Sequence, residues 1–586
     1  MNGNELLWSG GVPRSGPDMR PAAEDLELTQ LSLLLFPELG GEAALSFAAG
    51  LLTDEADTIR MRQETLEELM ARPALEEALG KLSRLLAELE TCRLGVRDNA
   101  AGMKVSRADA AVDGVKKAIL QLERNLSKQG ADILEENAAD NRYAQLLRYV
   151  HFRRRLTALY AEAVTLLWTV FRDDAPKSRP LRALHDWAQE HYEKDRVAHT
   201  RDALEALEAE WPGVGAFAVD VCLDSRRMIT GLEVAEVRPA PYARPGMTEA
   251  AGTAEKREGI TSLMAFPQSG SGVLFQEYLL SQVGYEVRGK LTKMRDALGK
   301  LPVTGAEELL SFRDALRFYA GAAAFAGKLK ARGSAVCAPR LTEEVTFRFR
   351  GARLPEQTCT GDLPVPNDLE LPLGGSILMT GPNSSGKTCC LIMAGQLLVL
   401  GQLGCLLPAE EGAFSPRDRL LTLFASGESE TGEDSRMGME IRRIRLLREQ
   451  MTRRSIFFFN EPMTSTSALE GGRICVELLT DLAVKGIPAL LVTHFNHIWP
   501  SLQDAFAAEG LSDRLRSLVM RTEEGPEGPR YLYRLVEAPP PPSSHARAVA
   551  AQKGVTLEGM LSGLEARGLD VRPADPGWTR IRQGVL

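Results

Sequence analysis

The stretch SILMTGPNSSGKTCC, residues 376–390, constrains this chain more than any other, because an apolar strand there runs into a complete glycine-rich phosphate loop. Gly381 to Thr388 fits the pattern G-x-x-x-x-G-K-[ST], with Ile377, Leu378 and Met379 as the feeding strand and a helix from Leu391 onward. The loop comprises Gly381, Pro382, Asn383, Ser384, Ser385, Gly386, Lys387 and Thr388. Backbone N–H groups of residues 384–388 then point inward at the positive end of the helix dipole, which favours a phosphate anion. Lys387 is expected to reach the β and γ phosphates of a nucleotide, and the Thr388 hydroxyl to sit on Mg²⁺. The alternative is a glycine-rich turn without a ligand, and the strand before and the helix after argue against it.

Nucleotide hydrolysis needs an acidic strand end near that loop, and SIFFFNEP supplies one: Ser455 to Phe459 reads as an apolar strand ending in Asn460 and Glu461. The usual arrangement places Asp first, to hold Mg²⁺ or its water, and Glu second, to orient the attacking water. Asn460 keeps an acceptor oxygen but carries no charge, so it is expected to hold Mg²⁺ less firmly than Asp, with Thr388 and the phosphates as chief ligands. Glu461 is the candidate general base. Slow or Mg²⁺-demanding hydrolysis follows. A third apolar strand, IPALLVTH, ends in His494. A strand-end histidine is often structural; beside a bound triphosphate it can sense the γ phosphate by hydrogen bonding.

A chain of 586 residues suggests three or four domains of about 150 residues each. The net charge of −9 argues against coating nucleic acid through overall positive charge, leaving two local basic runs: Arg148–Leu156, and Arg442, Arg443, Arg445, Arg448, Arg453 and Arg454. The null for such runs is a solvated, salt-bridged face; the first, on a long helix, is the better candidate for a nucleic-acid backbone contact. The eight cysteines show no metal-ligand spacing, which fits a reduced, cytoplasmic chain. The apolar run Leu391–Leu407 contains Gln396, Gln402 and three glycines and starts at the phosphate loop, so it reads as helix plus strand and no membrane association is expected.

The expected fold class is α plus α/β. Residues 1–25, rich in Gly, Pro and Ser, are expected to be poorly ordered. Residues 26–335 read as a helical body: Leu66, Leu69, Leu75, Leu79, Leu82, Leu86 and Leu89 recur at helical spacing, as do Val112, Val115, Ile119 and Leu122. A β-containing insertion interrupts it near 212–270. Residues 336–540 alternate strands and helices, as in a mostly parallel sheet, and Pro539–Pro542 lead into a helical tail over 541–586.

The second half resembles the MutS family. TGPNSSGKT, QLLVLGQLGCLLPAEEGAFSPRDRLLT, SRMGME, NEPMTSTSALEGG and THF resemble that family's phosphate loop, following helix and strand, signature, acidic strand end and switch, over roughly 360–555. LLTDEADTIRMRQETLEEL, residues 51–69, is a weaker likeness to its core and lever helices. The resemblance implies a P-loop, ABC-type ATPase using ATP and Mg²⁺, with 26–335 as core, lever and clamp. It implies a homodimer joined through the ATPase domains, Ser435 reaching across to the partner's γ phosphate, and 541–586 as dimerising helices. It also implies that Asn367 lies beside the adenine, that Glu440 closes the signature helix, and that Glu470 stands at the dimer interface. Three positions depart from the family pattern: Asn460 for Asp, Arg436 for Thr, and Pro364 for a stacking aromatic. Neither a mismatch-wedge domain nor a nuclease domain is expected, and Phe36-Pro37-Glu38 and Phe275-Gln276-Glu277 read as coincidental matches to the wedge motif. The implied function is an ATP-gated clamp on mismatched, distorted or branched DNA. The alternatives are an ATPase acting on a ribosome or protein partner, and a slow-turnover dimerisation switch.

Overall fold

Leucines at helical spacing need another apolar surface to cover them, and in the computed structural model they build two bodies of different composition. The described residues are 4–9, 17–18, 22–100, 142–210, 216–227, 229–238, 271–424, 436–525, 528–541 and short stretches between 555 and 567. The helix expected around Val112–Leu122 and the loop to 270 lie outside them. One unit comprises residues 77–176 and 181–313, and the other residues 4–76, 177–180 and 314–586.

The helices in chain order begin with α1 (Asn4–Leu7), α2 (Leu28–Leu35), α3 (Gly41–Leu51), α4 (Ala56–Met70), α5 (Pro73–Asp98) and α6 (Arg142–Phe171). Next come α7 (Arg179–Lys194), α8 (Val197–Ala209), strands β1 (Ala216–Leu223) and β2 (Ile229–Arg238), α9 (Ser271–Glu286), α10 (Arg288–Gly299), α11 (Ala306–Ser311) and α12 (Arg313–Ala331). In the helical unit, Tyr143, Leu146 and Val150 of α6 pack on Leu291, Met294 and Leu298 of α10 and Leu204 of α8. A buried polar tie closes the unit: Asp195 accepts from Tyr160 Oη at 2.6 Å and from Thr304 Oγ1 at 2.9 Å. β1 and β2 form an antiparallel hairpin running from the pair Ala216↔Arg238.

The second unit holds two sheets built from β3 (Arg340–Leu341), β4 (Val345–Ala352), β5 (Asn367–Pro372), β6 (Ser376–Thr380), β7 (Glu411–Phe414), β8 (Arg419–Phe424), β9 (Ser455–Asn460), β10 (Ala489–Val492), β11 (Leu515–Gly525) and β12 (Gly528–Glu537). Its helices are α13 (Pro355–Thr360), α14 (Lys387–Leu403), α15 (Arg436–Gln450), α16 (Ala468–Val484) and α17 (Trp499–Ala508). The six-stranded sheet has the order β12-β11-β6-β10-β9-β8, parallel except for the β11–β12 pair. β6, β9 and β10 are continuously apolar, as strands covered on both faces must be. The smaller sheet has the order β3-β7-β4-β5. The fold is thus long helices plus a mostly parallel sheet.

Within residues 1–25, Leu6, Leu7 and Trp8 are buried. The cause is Arg62, whose guanidinium is fully buried under Trp8 and Phe318. It donates to Leu7 O at 2.9 Å, Leu51 O at 2.6 Å and Leu403 O at 3.1 Å. Leu51 and Leu403 are the last residues of α3 and α14, so one cation caps two helix C-termini, where positive charge is favoured. The same contacts put residues 4–76 in one unit with 314–586, which cuts across the division expected at 335/336.

Candidate functional site

The parallel register brings three strand ends level. Val492 of β10 lies opposite Met379 of β6 on one side and Asn460 of β9 on the other. At the carboxyl edge of a parallel sheet such a crevice is where ligands bind. Leaving β6, the chain turns through Gly381 at φ +141° and Gly386 at φ +97°. A Cβ on Gly381 would lie 2.8 Å from Met520 Cβ, so both the backbone conformation and the space there require glycine. α14 then starts at Lys387, four residues earlier than the expected Leu391, with Gly386 as an N-cap that offers no side-chain acceptor.

These residues wall a cleft of about 690 Å³. Its polar lining comes from Asn383, Ser384, Lys387, Thr388, Asn460 and Glu461, and its apolar lining includes Leu354, Leu363, Pro364, Val365, Met520 and the ring of Tyr533. Lys387 Nζ donates to the carbonyls of Gly381 and Pro382, both at 2.9 Å. Burial lowers its pKa, partly offset by the charge of Glu461. Ser385 Oγ donates to Pro382 O at 2.7 Å, tightening the loop. Thr388 Oγ1 donates to Asn460 Oδ1 at 3.1 Å. Two adjacent ligands on an octahedral Mg²⁺ at 2.0–2.1 Å lie about 2.9 Å apart, so this pair of neutral oxygens fits the ion as part of its shell. Among the described residues, no group of three or more His, Cys, Asp or Glu could hold a metal.

Glu461 sits at φ +52° in a turn that also holds Met463 at φ +61°, and its N–H donates to Val492 O at 2.8 Å. Its carboxylate is 3.8 Å from Nδ1 of the part-exposed His494. The structure therefore brings Lys387, Thr388, Asn460, Glu461 and His494 to one edge of the sheet. Ser435 lies outside the described residues.

Three residues read from the resemblance have local partners. Asn367 lines the cleft, yet its amide is engaged by backbone: Nδ2 donates to Val365 O and Tyr533 O, and Oδ1 accepts from Leu535 N. Glu470 stands in the first turn of α16, where the N-cap Ser467 Oγ accepts from Glu470 N at 3.2 Å and donates to its Oε2 at 3.1 Å. Glu440 accepts from Ser465 Oγ at 2.7 Å. The aromatic in the cleft is Tyr533, which sequence reasoning missed: it adopts φ +55° on β12 and approaches Gly386. Its placement depends on that left-handed conformation, which the sequence of β12 does not signal.

The basic runs are largely spent inside the chain. Arg153 donates to Leu301 O, Arg154 pairs with Glu208, and Arg155 makes a two-pronged bond to Glu88. Arg443, Arg445, Arg448 and Arg454 pair with Asp25, Glu449, Asp481 and Asp54. α15 ends at Gln450, so Arg453 and Arg454 lie in the turn beyond it. No helix among the described residues is long and apolar enough to cross a membrane.

Residues 377–555 match the family described as MutS domain V. The chain is 29% identical over 210 residues to the DNA mismatch repair protein MutS of Thermus thermophilus, covering 35% of this chain and 24% of that protein. It is 30% identical over 197 residues to the DNA mismatch repair protein MSH3 of Coccidioides immitis, covering 32% and 17%. It is 26% identical over 230 residues to Endonuclease MutS2 of Lactobacillus helveticus, covering 38% and 27%. The matches thus span about a quarter or less of these relatives' lengths, and all concern the part of the chain that carries the cleft. The part of the chain that carries the cleft, residues 377–555, is thus similar to MutS domain V and to proteins of the MutS family.

Proposed function

We propose that this chain is a MutS-type ATPase that binds ATP with Mg²⁺ in the cleft between β6, β9 and β12. The observation that carries the reading is a buried ammonium, Lys387, beside a helix N-terminus that has no side-chain cap. Those orphan N–H groups and that desolvated cation suit a polyphosphate, and the apolar lining, with the Tyr533 ring as its aromatic wall, suits a base. Bound Mg²⁺ supplies charge neutralisation on the phosphate oxygens. Thr388 and Asn460 offer it neutral oxygens, Glu461 accepts the proton of the attacking water, and His494, beside Glu461, hydrogen-bonds the γ phosphate. Without the Asp charge at 460, turnover is slow.

In this reading ATP-dependent homodimerisation of the ATPase domains, with Ser435 acting across the interface, gates a clamp on mismatched, distorted or branched DNA in the cytoplasm. Tail helices within 541–586 complete the dimer. The mismatch-repair names of the relatives support the DNA target. A second reading, an ATPase acting on a ribosome or protein partner, is favoured by one observation: Arg154 and Arg155 of the first basic run and Arg443, Arg445, Arg448 and Arg454 of the second pair with the chain's own carboxylates. Equilibrium binding to paired, mismatched and four-way-junction DNA at one salt concentration, with and without ATP, separates them. Nucleotide-modulated preference for one distorted DNA supports the clamp; weak binding indifferent to structure and nucleotide removes DNA as the target.

A further inference from the structure

Asp25 belongs to a segment that the phosphate-site chemistry does not use, yet its carboxylate reaches the edge strand of the six-stranded sheet. Its Oδ2 accepts from Thr422 Oγ1 of β8 at 2.6 Å and from Arg443 Nη2 of α15 at 3.0 Å. Asp25 is only 14% exposed and Thr422 is buried, while Arg443 is 38% exposed, so the junction is anchored from its buried side. The segment is fixed on both sides of Asp25. Asp18 pairs with Arg419 along the open edge of β8, and Leu26 packs into the space left by Gly395 of α14 while its carbonyl accepts from Gln396.

One turn before Arg443 on the same helix, Glu440 accepts from Ser465 Oγ at 2.7 Å. Ser465 lies in the turn that holds Glu461 and Met463 at positive φ, a conformation that non-glycine residues keep only where surrounding contacts impose it. Two hydrogen bonds, Arg443 to Asp25 and Ser465 to Glu440, thus meet on α15 at positions three residues apart, joined by the helix itself. We propose that Asp25 is a positioning residue: through Arg443 it fixes the seating of α15, and through Glu440 and Ser465 it holds the Glu461 turn in its strained form. Its effect on turnover rests on the ATPase reading above; its effect on the turn does not.

The test is hydrogen exchange of the Glu461 amide, which donates to Val492 O, in the full chain without nucleotide. Asp25→Asn and Arg443→Gln should each speed that exchange about tenfold, with the double variant no faster than either alone, because both cut the same connection. Asp54→Asn breaks a different tie to the same region, the one to Arg454, and should leave the Glu461 amide unchanged. With ATP, Asp25→Asn should lower kcat about tenfold at unchanged KM, since a displaced base loses rate rather than binding. Unchanged exchange in Asp25→Asn and Arg443→Gln, an additive double variant, or an equal effect of Asp54→Asn overturns the proposal. Absence of turnover in the unaltered protein overturns the ATPase reading instead, while the exchange measurement still decides the role of Asp25.

Discussion

Replacing Arg62 by Met asks whether a buried cation holds this unit together or merely burdens it. Burial lowers the guanidinium pKa from 12.5 to about 10, a cost on the order of 3 kcal/mol. Against it stand three hydrogen bonds to main-chain carbonyls, each contributing about 1.5–3 kcal/mol from a charged donor. Their sum, about 4.5–9 kcal/mol, exceeds the burial cost, so Arg62→Met should destabilise the unit by about 1–6 kcal/mol, centred near about 3. A base whose folded pKa is lowered carries its cost at every pH below that value, so the loss should be flat across the neutral range. The chain has two units and need not melt in one step, so the assay is urea-dependent hydrogen exchange of the slow α14 amides. Buried ionic groups replaced by apolar side chains of similar volume can leave a protein equally or more stable. That outcome here would refute the claim that Arg62 joins the ends of α3 and α14 to the N-terminal segment.

Three further outcomes follow from single contacts. Asn460→Asp restores a carboxylate beside Thr388 and should lower the Mg²⁺ concentration needed for half-maximal turnover about tenfold; an unchanged Mg²⁺ profile contradicts the ligand assignment. Burial raises the Glu68 carboxyl, but the N–H groups of Lys177 and Ser178, with Arg72, bring it net below its usual 4.5. An acid with a lowered folded pKa stabilises above its ordinary pKa and loses that contribution as pH falls through the folded value, so Glu68→Gln should flatten the acid limb of stability below pH 4.5. Ser467→Ala removes the cap of α16 and should cost about 1 kcal/mol in urea unfolding, with less than about 0.3 kcal/mol contradicting the cap.

Much of the cleft was legible because its strands are continuous apolar runs, each ending where a polar group begins. Ile377–Met379, Ser455–Phe459 and Leu490–Val492 are buried on both faces, and no amphipathic alternation competes with that reading. What escaped depends on residues far apart in the chain. Arg62 reads as one more charge on α4 until Leu7 and Leu403 arrive beside it. The basic runs look available for phosphate because Glu88, Glu208, Asp25 and Asp54 are distant in sequence. Tyr533 faces the phosphate loop only because a left-handed residue, tied by Asn367, turns its ring there; strand alternation carries no trace of that. In residues 1–25 the Gly and Pro content hides the short apolar run Leu6-Leu7-Trp8, which is buried.

The central claim is that the cleft around Lys387 is a nucleotide site. Its most direct test is equilibrium binding of Mg²⁺-ATP to the intact chain and to Lys387→Ala by titration calorimetry. The account requires saturable binding at one site per chain, weakened at least about tenfold by the substitution, because a desolvated ammonium bonded to phosphate contributes more than a surface pair. No binding to the intact chain, or equal affinity in both proteins, would contradict it.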